Sequence, residues 1–215
     1  MTEDRDGLRT LSLFDEEAVP VLDGTLQWVP VRRRLGIRAF GTNAYRAAHA
    51  GDLVVEEHVE SQGHEELYLV VRGRARFDLG EVVEAAAGEL VFLPDPDLRR
   101  RAVALDDDTV VFAVGGWAGR PYQPLPWEPV FLAQEQMRRG DWAGAAETLQ
   151  REAGEHEASP PVLYHLARCH AQTGEHDRAL DELRRAVADR PDLLAAAAEE
   201  EALAPLRGLE GWPGG

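Results

Sequence analysis

No lysine occurs in the 215 residues; all 23 basic residues are arginine, so every fixed positive charge is a guanidinium. Cysteine is nearly absent too. Cys169 stands alone, which excludes an intrachain disulfide and any zinc site built from several cysteines. Long apolar runs are missing, and none approaches the roughly 20 residues needed to span a bilayer. The acidic opening MTEDRDGLRTLSLFDEEAVP lacks the apolar stretch of a signal peptide. The expectation is therefore a cytoplasmic chain with no membrane partner. Positive charge is scarce overall: 39 acidic residues face 23 basic ones, for a formal net charge of −16. Such a chain repels phosphate backbones, so nucleic acid is not an expected partner. No phosphate-cradling loop, nucleotide-binding glycine pattern, Ser-His-Asp set or Cys-His pair is present. What remains is 44% hydrophobic and 29% charged, enough to bury a core.

The chain changes character near residue 125. Valine, phenylalanine and glycine recur before it; alanine, leucine, glutamate and arginine dominate after it. The stretch GGWAGRPYQPLPWEP (115–129) between them is too rich in glycine and proline for regular helix. The spacing predicts strands over 36–49, 52–59, 65–73, 75–80, 81–88, 89–96, 101–105 and 109–116, with turns at the intervening glycines. Many short strands at such intervals point to a sandwich or barrel. Helices are predicted over 131–140, 141–154, 160–174 and 176–191, with one or two more to residue 208.

Those helices repeat. GDWAGAAETL begins at Gly140 and GEHDRALDEL at Gly174, a spacing of 34, with Ala145 matching Ala179 and Leu149 matching Leu183. This part of the chain resembles the tetratricopeptide repeat family. The second unit carries Leu166, Gly174, Ala179, Leu183, Ala186 and Pro191 at the signature positions. The first keeps Leu132, Gly140, Ala145 and Leu149, but has Glu152 where a small residue is usual. Two repeats are fewer than the three or so of a free-standing solenoid, so the last helix is expected to cap the array or the array to dock on the first half. The resemblance implies contact with a protein partner.

Residues 51–103 resemble the cupin family. Glu66 and Gly73, with the six residues LYLVVR between them, match the end of its first motif; Gly88 and Pro94 across ELVFL match the start of its second. The resemblance implies an antiparallel jelly-roll β-barrel, making the whole an α+β chain: a cupin barrel with an N-terminal extension over 1–120, a linker at 121–128, and a small all-α helical-repeat domain over 129–215. The family also implies a possible homodimer. The match then departs from the pattern. Pro96 stands for the second glycine, Arg99 for the metal-binding histidine and Val103 for the asparagine, and no His-x-His precedes Glu66.

The segment EEHVESQGHEELYLVVRG (56–73) nevertheless holds the right residue types. Alternate side chains of a strand share a face, so His64 goes with Glu66 and His58 with Glu60; whether the two faces coincide depends on the turn at 61–63. If they converge, His58, His64 and Glu66 are the metal candidates, for iron, manganese, nickel or zinc, with Glu60 as a fourth ligand or a base. Arg99 argues otherwise: a guanidinium cannot ligate a cation and would pair with Glu66 or Glu60. Period 2 also sends at least one of Arg99, Arg100 and Arg101 inward, either paired or awaiting an anion. Arg99, Arg101, Glu60 and Tyr68 are accordingly the candidate ligand-binding residues.

Three functions fit. One is a non-enzymatic module binding a small anionic molecule in a pocket with a degenerate metal motif. Another is a metal-dependent oxygenase or isomerase. The third is a scaffold without chemistry. Elsewhere the plainer readings are preferred. Arg32–Arg34 reads as a solvated loop or a source of interdomain ion pairs, Cys169 as a core thiol, and Tyr164, His165 and Arg168 as a solvated helical face. Gly41 and Asn43 read as a bulge, and Trp117 and Trp127 as residues that pin the linker.

Overall fold

Alternation builds the first half strand by strand. In the computed structural model, which describes residues 8–22, 24–60, 63–123, 125–154 and 158–214, the chain divides into two compact units, Met1–Pro124 and Leu125–Gly215. The first unit contains β1 (Val19–Val21), β2 (Leu26–Val29), β3 (Gly41–Arg46), β4 (Leu53–His58), β5 (Glu65–Arg72), β6 (Arg74–Asp78), β7 (Val82–Ala86), β8 (Leu90–Leu93), β9 (Arg100–Ala104) and β10 (Val110–Gly116). They pair in the order β7-β6-β9-β4-β2-β3-β10-β5-β8, with β1 against β2, as a nearly closed barrel. The pairing is antiparallel except where Leu26 of β2 meets Leu53 of β4 in parallel, which makes the sheet mixed. Strand β6 shows the driving pattern: Ala75 and Phe77 are buried, while Arg74, Arg76 and Asp78 face solvent. Trp28, Tyr68, Phe77, Leu26 and Leu93 fill the interior, with Phe77, Leu26 and Leu93 each worth about 1.5–3 kcal/mol of burial.

Gly73 and Gly88, the glycines of the two motifs, sit in tight turns at φ +72° and +92°, a region that β-carbons avoid. β1 and β2 add two strands where only an extension is expected from sequence. The arginine run at 32–34 is no solvated loop. It forms a short helix, α1 (Val31–Leu35), in which Arg32 is buried over the Tyr122 ring and Arg34 pairs with Glu16. Gly41 and Asn43 make no bulge either, since β3 runs in unbroken register along β10. Asn43 accepts the Trp28 indole N–H at 2.8 Å, and Gly41 lies against the Tyr122 ring.

The second unit holds α2 (Trp127–Arg138), α3 (Trp142–Ala153), α4 (Pro160–Thr173), α5 (His176–Asp189), α6 (Leu193–Glu199) and a 3₁₀ helix at Glu201–Leu206. α2 begins inside the stretch expected to be linker. Pro129 falls in its first turn, where a missing N–H costs nothing. Asp141 caps α3 by accepting the Gly144 N–H at 3.0 Å. Gly174 closes α4 in the left-handed conformation, returning N–H bonds to the last turn. The matched repeat positions Ala145 and Ala179, and Leu149 and Leu183, are all fully buried. Ala197, Leu203 and Leu206 join the core formed by α4 and α5, so the terminal helices cap the repeat. Among the described residues, no helix is long and apolar enough to cross a membrane.

Tyr164, His165 and Arg168 are not a solvated face. Tyr164 is buried, and burial pushes the His165 imidazole down to about 3. Arg168 donates to His165 Nδ1 at 2.8 Å and pairs with Glu200 at 3.1 Å. Cys169 is fully buried, and burial pushes its thiol up to about 12, which leaves it unreactive.

Candidate metal centre

β4 and β5 bring their carboxylates and imidazoles to one end of the barrel. β4 ends at His58. Glu60 then fastens the chain by donating its backbone N–H to the Pro96 carbonyl at 2.9 Å, and the Gly63 N–H returns to the Glu60 carbonyl at 2.8 Å. Ser61 and Gln62, the centre of the turn that decides the register, lie outside the described residues. On either side of that turn the faces converge. His58, Glu60 and Glu66 each offer a ligand atom within 4.8 Å of the others. His58 Nε2 lies 3.2 Å from Glu60 Oε1 and 4.0 Å from Glu66 Oε2.

The orientation of His58 is informative. Its Nδ1 is 2.8 Å from the backbone carbonyl of Glu56, an acceptor only, so Nδ1 carries the proton. Nε2 is then a lone pair turned toward two carboxylates unless it holds a proton or a metal. Burial disfavours charge on this ring, but the Glu60 hydrogen bond and the Glu56 and Glu66 charges outweigh burial and raise His58 to about 9. Burial likewise pushes the Glu60 carboxyl up, yet the hydrogen bonds and charges of His58 and His64 hold it at about 2.

His64 stands beside this cluster rather than within it. It is buried, its Nε2 rests against Glu60 Oε2, and its ring meets Trp117 at 5.2 Å. The period-2 reading turns it inward with Glu66, and it is indeed buried; the carboxylate it meets is Glu60. Gly115 makes room for it, because a β-carbon there would sit 2.7 Å from His64 Nδ1. Glu66 is held at one oxygen: Oε2 accepts the Tyr68 hydroxyl at 2.5 Å and Arg100 Nη1 at 2.8 Å, whereas Oε1 takes no hydrogen bond among the described residues. Tyr68 is itself fully buried, and burial, the Glu66 charge and their hydrogen bond push its phenol upward. It therefore acts as a donor that orients Glu66.

The arginine positions need correction. Arg99, the residue aligned with the missing histidine, points to solvent and pairs with Glu57. Arg101 sits opposite Asp78 of β6 and alternates with Arg100, so it too faces away from Glu66. Arg100 is the inward residue, directly across from His58 and fully buried. The turn at 95–98 fixes this phase. Its carbonyls at Pro96 and Leu98 accept Arg100 Nη2, each at 2.9 Å. The guanidinium is thus consumed by the protein and not presented to an anion.

Sequence reasoning also missed Glu56. It shares the His58 face; burial raises its carboxyl, and Glu56 Oε2 has no hydrogen-bond partner. Position i−2 to a candidate ligand was the available signal. Trp117 lies against His64 and Tyr122 within the first unit, and Trp127 against Phe131 within the second.

A tetratricopeptide repeat model matches residues 136–201. No curated protein matches the chain. Among solved structures, the barrel is similar to a cupin protein from Bacteroides fragilis, at 18% identity over 54% of this chain and 90% of that one, TM-score 0.41. A Cupin 2 conserved barrel domain protein from Salinispora arenicola is 21% identical over 52% of this chain and 91% of that one, TM-score 0.41. KdgF from a Halomonas species is 19% identical over 47% and 85%, TM-score 0.38.

Proposed function

We propose that the barrel unit binds a divalent metal through His58, Glu60 and Glu66, with His64 supporting Glu60 from beside the cluster, and uses it to hold a small oxygen-bearing molecule. One observation carries this reading. His58 donates its Nδ1–H to the Glu56 carbonyl and turns Nε2 to two carboxylates, the orientation in which a metal-binding histidine is held when its other nitrogen donates to a backbone carbonyl. The donor set of nitrogen and carboxylate oxygen suits iron, manganese, nickel or zinc. Held by His58, Glu60 and Glu66, such a metal would supply a Lewis-acid position for the oxygen of a small molecule. Arg100 and Tyr68 orient Glu66 by donating to Oε2. His64 steadies Glu60, and Trp117 covers His64. The repeat helices serve contact with a protein.

A second reading has its own support. The pairs Arg100–Glu66 and His58–Glu60 balance charge without a metal, giving a polar pocket held by ion pairs. Calorimetric titration of chelator-stripped protein with Mn²⁺, Ni²⁺ and Zn²⁺ separates the two. The metal reading expects one saturable site, weakened at least tenfold by Glu60→Gln. The absence of saturable binding for all three ions favours the ion-pair pocket.

A further inference from the structure

We propose that a second site, on the opposite face of the sheet and at the far end of its strands, binds a small hydroxylated anion, a carboxylate or phosphate ester, between Arg46 and Arg72. Cross-strand register places these residues together. Gln27 pairs with Arg46, Arg46 with Val110, and Val110 with Arg72, so a single row runs over β2, β3, β10 and β5. Directly paired residues share a side of the sheet. The next row, Trp28, Tyr45, Val111 and Val70, is buried in the barrel, so the arginine row takes the other face. The register shift between Val110 and Val111 is what sets Arg72 there; simple alternation from Val70 would turn it inward.

The two arginines flank β10, two strand spacings or about 9–10 Å apart at the backbone. They line a cavity of about 430 Å³, within the roughly 300–1,000 Å³ of small-molecule sites. Neither meets a carboxylate among the described residues. Arg46 spends one N–H on the Glu16 carbonyl at 2.8 Å, and Arg72 lies over the Phe14 ring at 3.9 Å. Two like charges on one row call for an anion between them, and the Phe14 ring already orders one guanidinium for it. Asp52 and Asp108 line the same cavity and accept hydrogen bonds, which selects hydroxyl groups on the rest of the ligand. Arg46 stands five residues along β3 from Gly41, which belongs to the Gly41–Gly115–Glu66 row, roughly 15 Å away. The two sites are therefore independent.

The test is calorimetric titration of the full chain with citrate, glycerol 3-phosphate and inorganic phosphate at low salt. The expected result is saturable binding of citrate or glycerol 3-phosphate, tighter than inorganic phosphate. Arg72→Ala and Arg46→Gln each weaken it at least tenfold, while Arg76→Ala and Glu60→Gln leave it unchanged. Failure of both hydroxylated anions to bind, equal affinity in Arg72→Ala, or loss in Glu60→Gln overturns the proposal. Arg72 is exposed, so its variant folds even if Arg46→Gln does not.

Discussion

The two nitrogens of His58 have different tasks, and the difference can be measured. Nδ1 is committed to the Glu56 carbonyl; Nε2 faces Glu60, whose hydrogen bond with the Glu56 and Glu66 charges raises the ring to about 9 against burial. Because His58 is raised from 6.5 to about 9, its contribution to the stability of the metal-free barrel is complete below pH 6.5 and disappears as pH rises through about 9. Glu60, lowered from 4.5 to about 2, contributes above pH 4.5 and loses that contribution as pH falls through about 2. Thermal melts with chelator should therefore show a plateau between these limits, and His58→Gln should remove the decline between pH 6.5 and 9. Arg100 gives a second contrast at this scale. Arg100→Ala leaves Glu66 and two turn carbonyls without their buried partner and should cost about 3–5 kcal/mol in denaturant unfolding. Arg99→Ala, which breaks an exposed pair, should cost at most about 1 kcal/mol. The cupin-like motif around Glu66, and the residue types near it, made His58, His64, Glu60 and Glu66 visible in the sequence. Arg100 was not, because three consecutive arginines carry no phase; the turn at 95–98, closed by the Leu98 N–H on the Asp95 carbonyl, supplies it.

At the scale of elements, the ends of β4 and β5 bring His58, Glu60 and Glu66 together at one end of the barrel without a His-x-His pair. Gly115 on β10 completes the arrangement by admitting His64. Gly115→Ala should displace His64 and weaken metal binding on the order of tenfold, with overpacking costing about 1–3 kcal/mol in the melting curve. In the helical unit, Leu183→Ala opens a hole at a fully buried repeat position and should cost about 2–5 kcal/mol, read from helical ellipticity against denaturant. The strands from β3 onward and the four long helices were legible because glycine turns, period-2 runs and the 34-residue spacing agree with one another. β1 and β2, of three and four residues, are too short to display a period. The start of α2 was hidden because proline in a first turn reads like a breaker.

For the whole molecule, a barrel followed by a helical repeat domain follows from the sequence with little ambiguity, whereas the chemistry turns on whether a cation other than a proton sits between His58 and the carboxylates. The two cations compete. Metal affinity should rise about tenfold per pH unit between pH 6 and 8, since the proton on His58 must leave first. The most direct measurement is elemental analysis of the full chain purified from metal-supplemented medium, alongside Glu60→Gln and His58→Ala. The account predicts close to one equivalent of a single first-row metal in the unaltered protein and almost none in either variant. A protein without metal, or with the same metal content in all three forms, would contradict it.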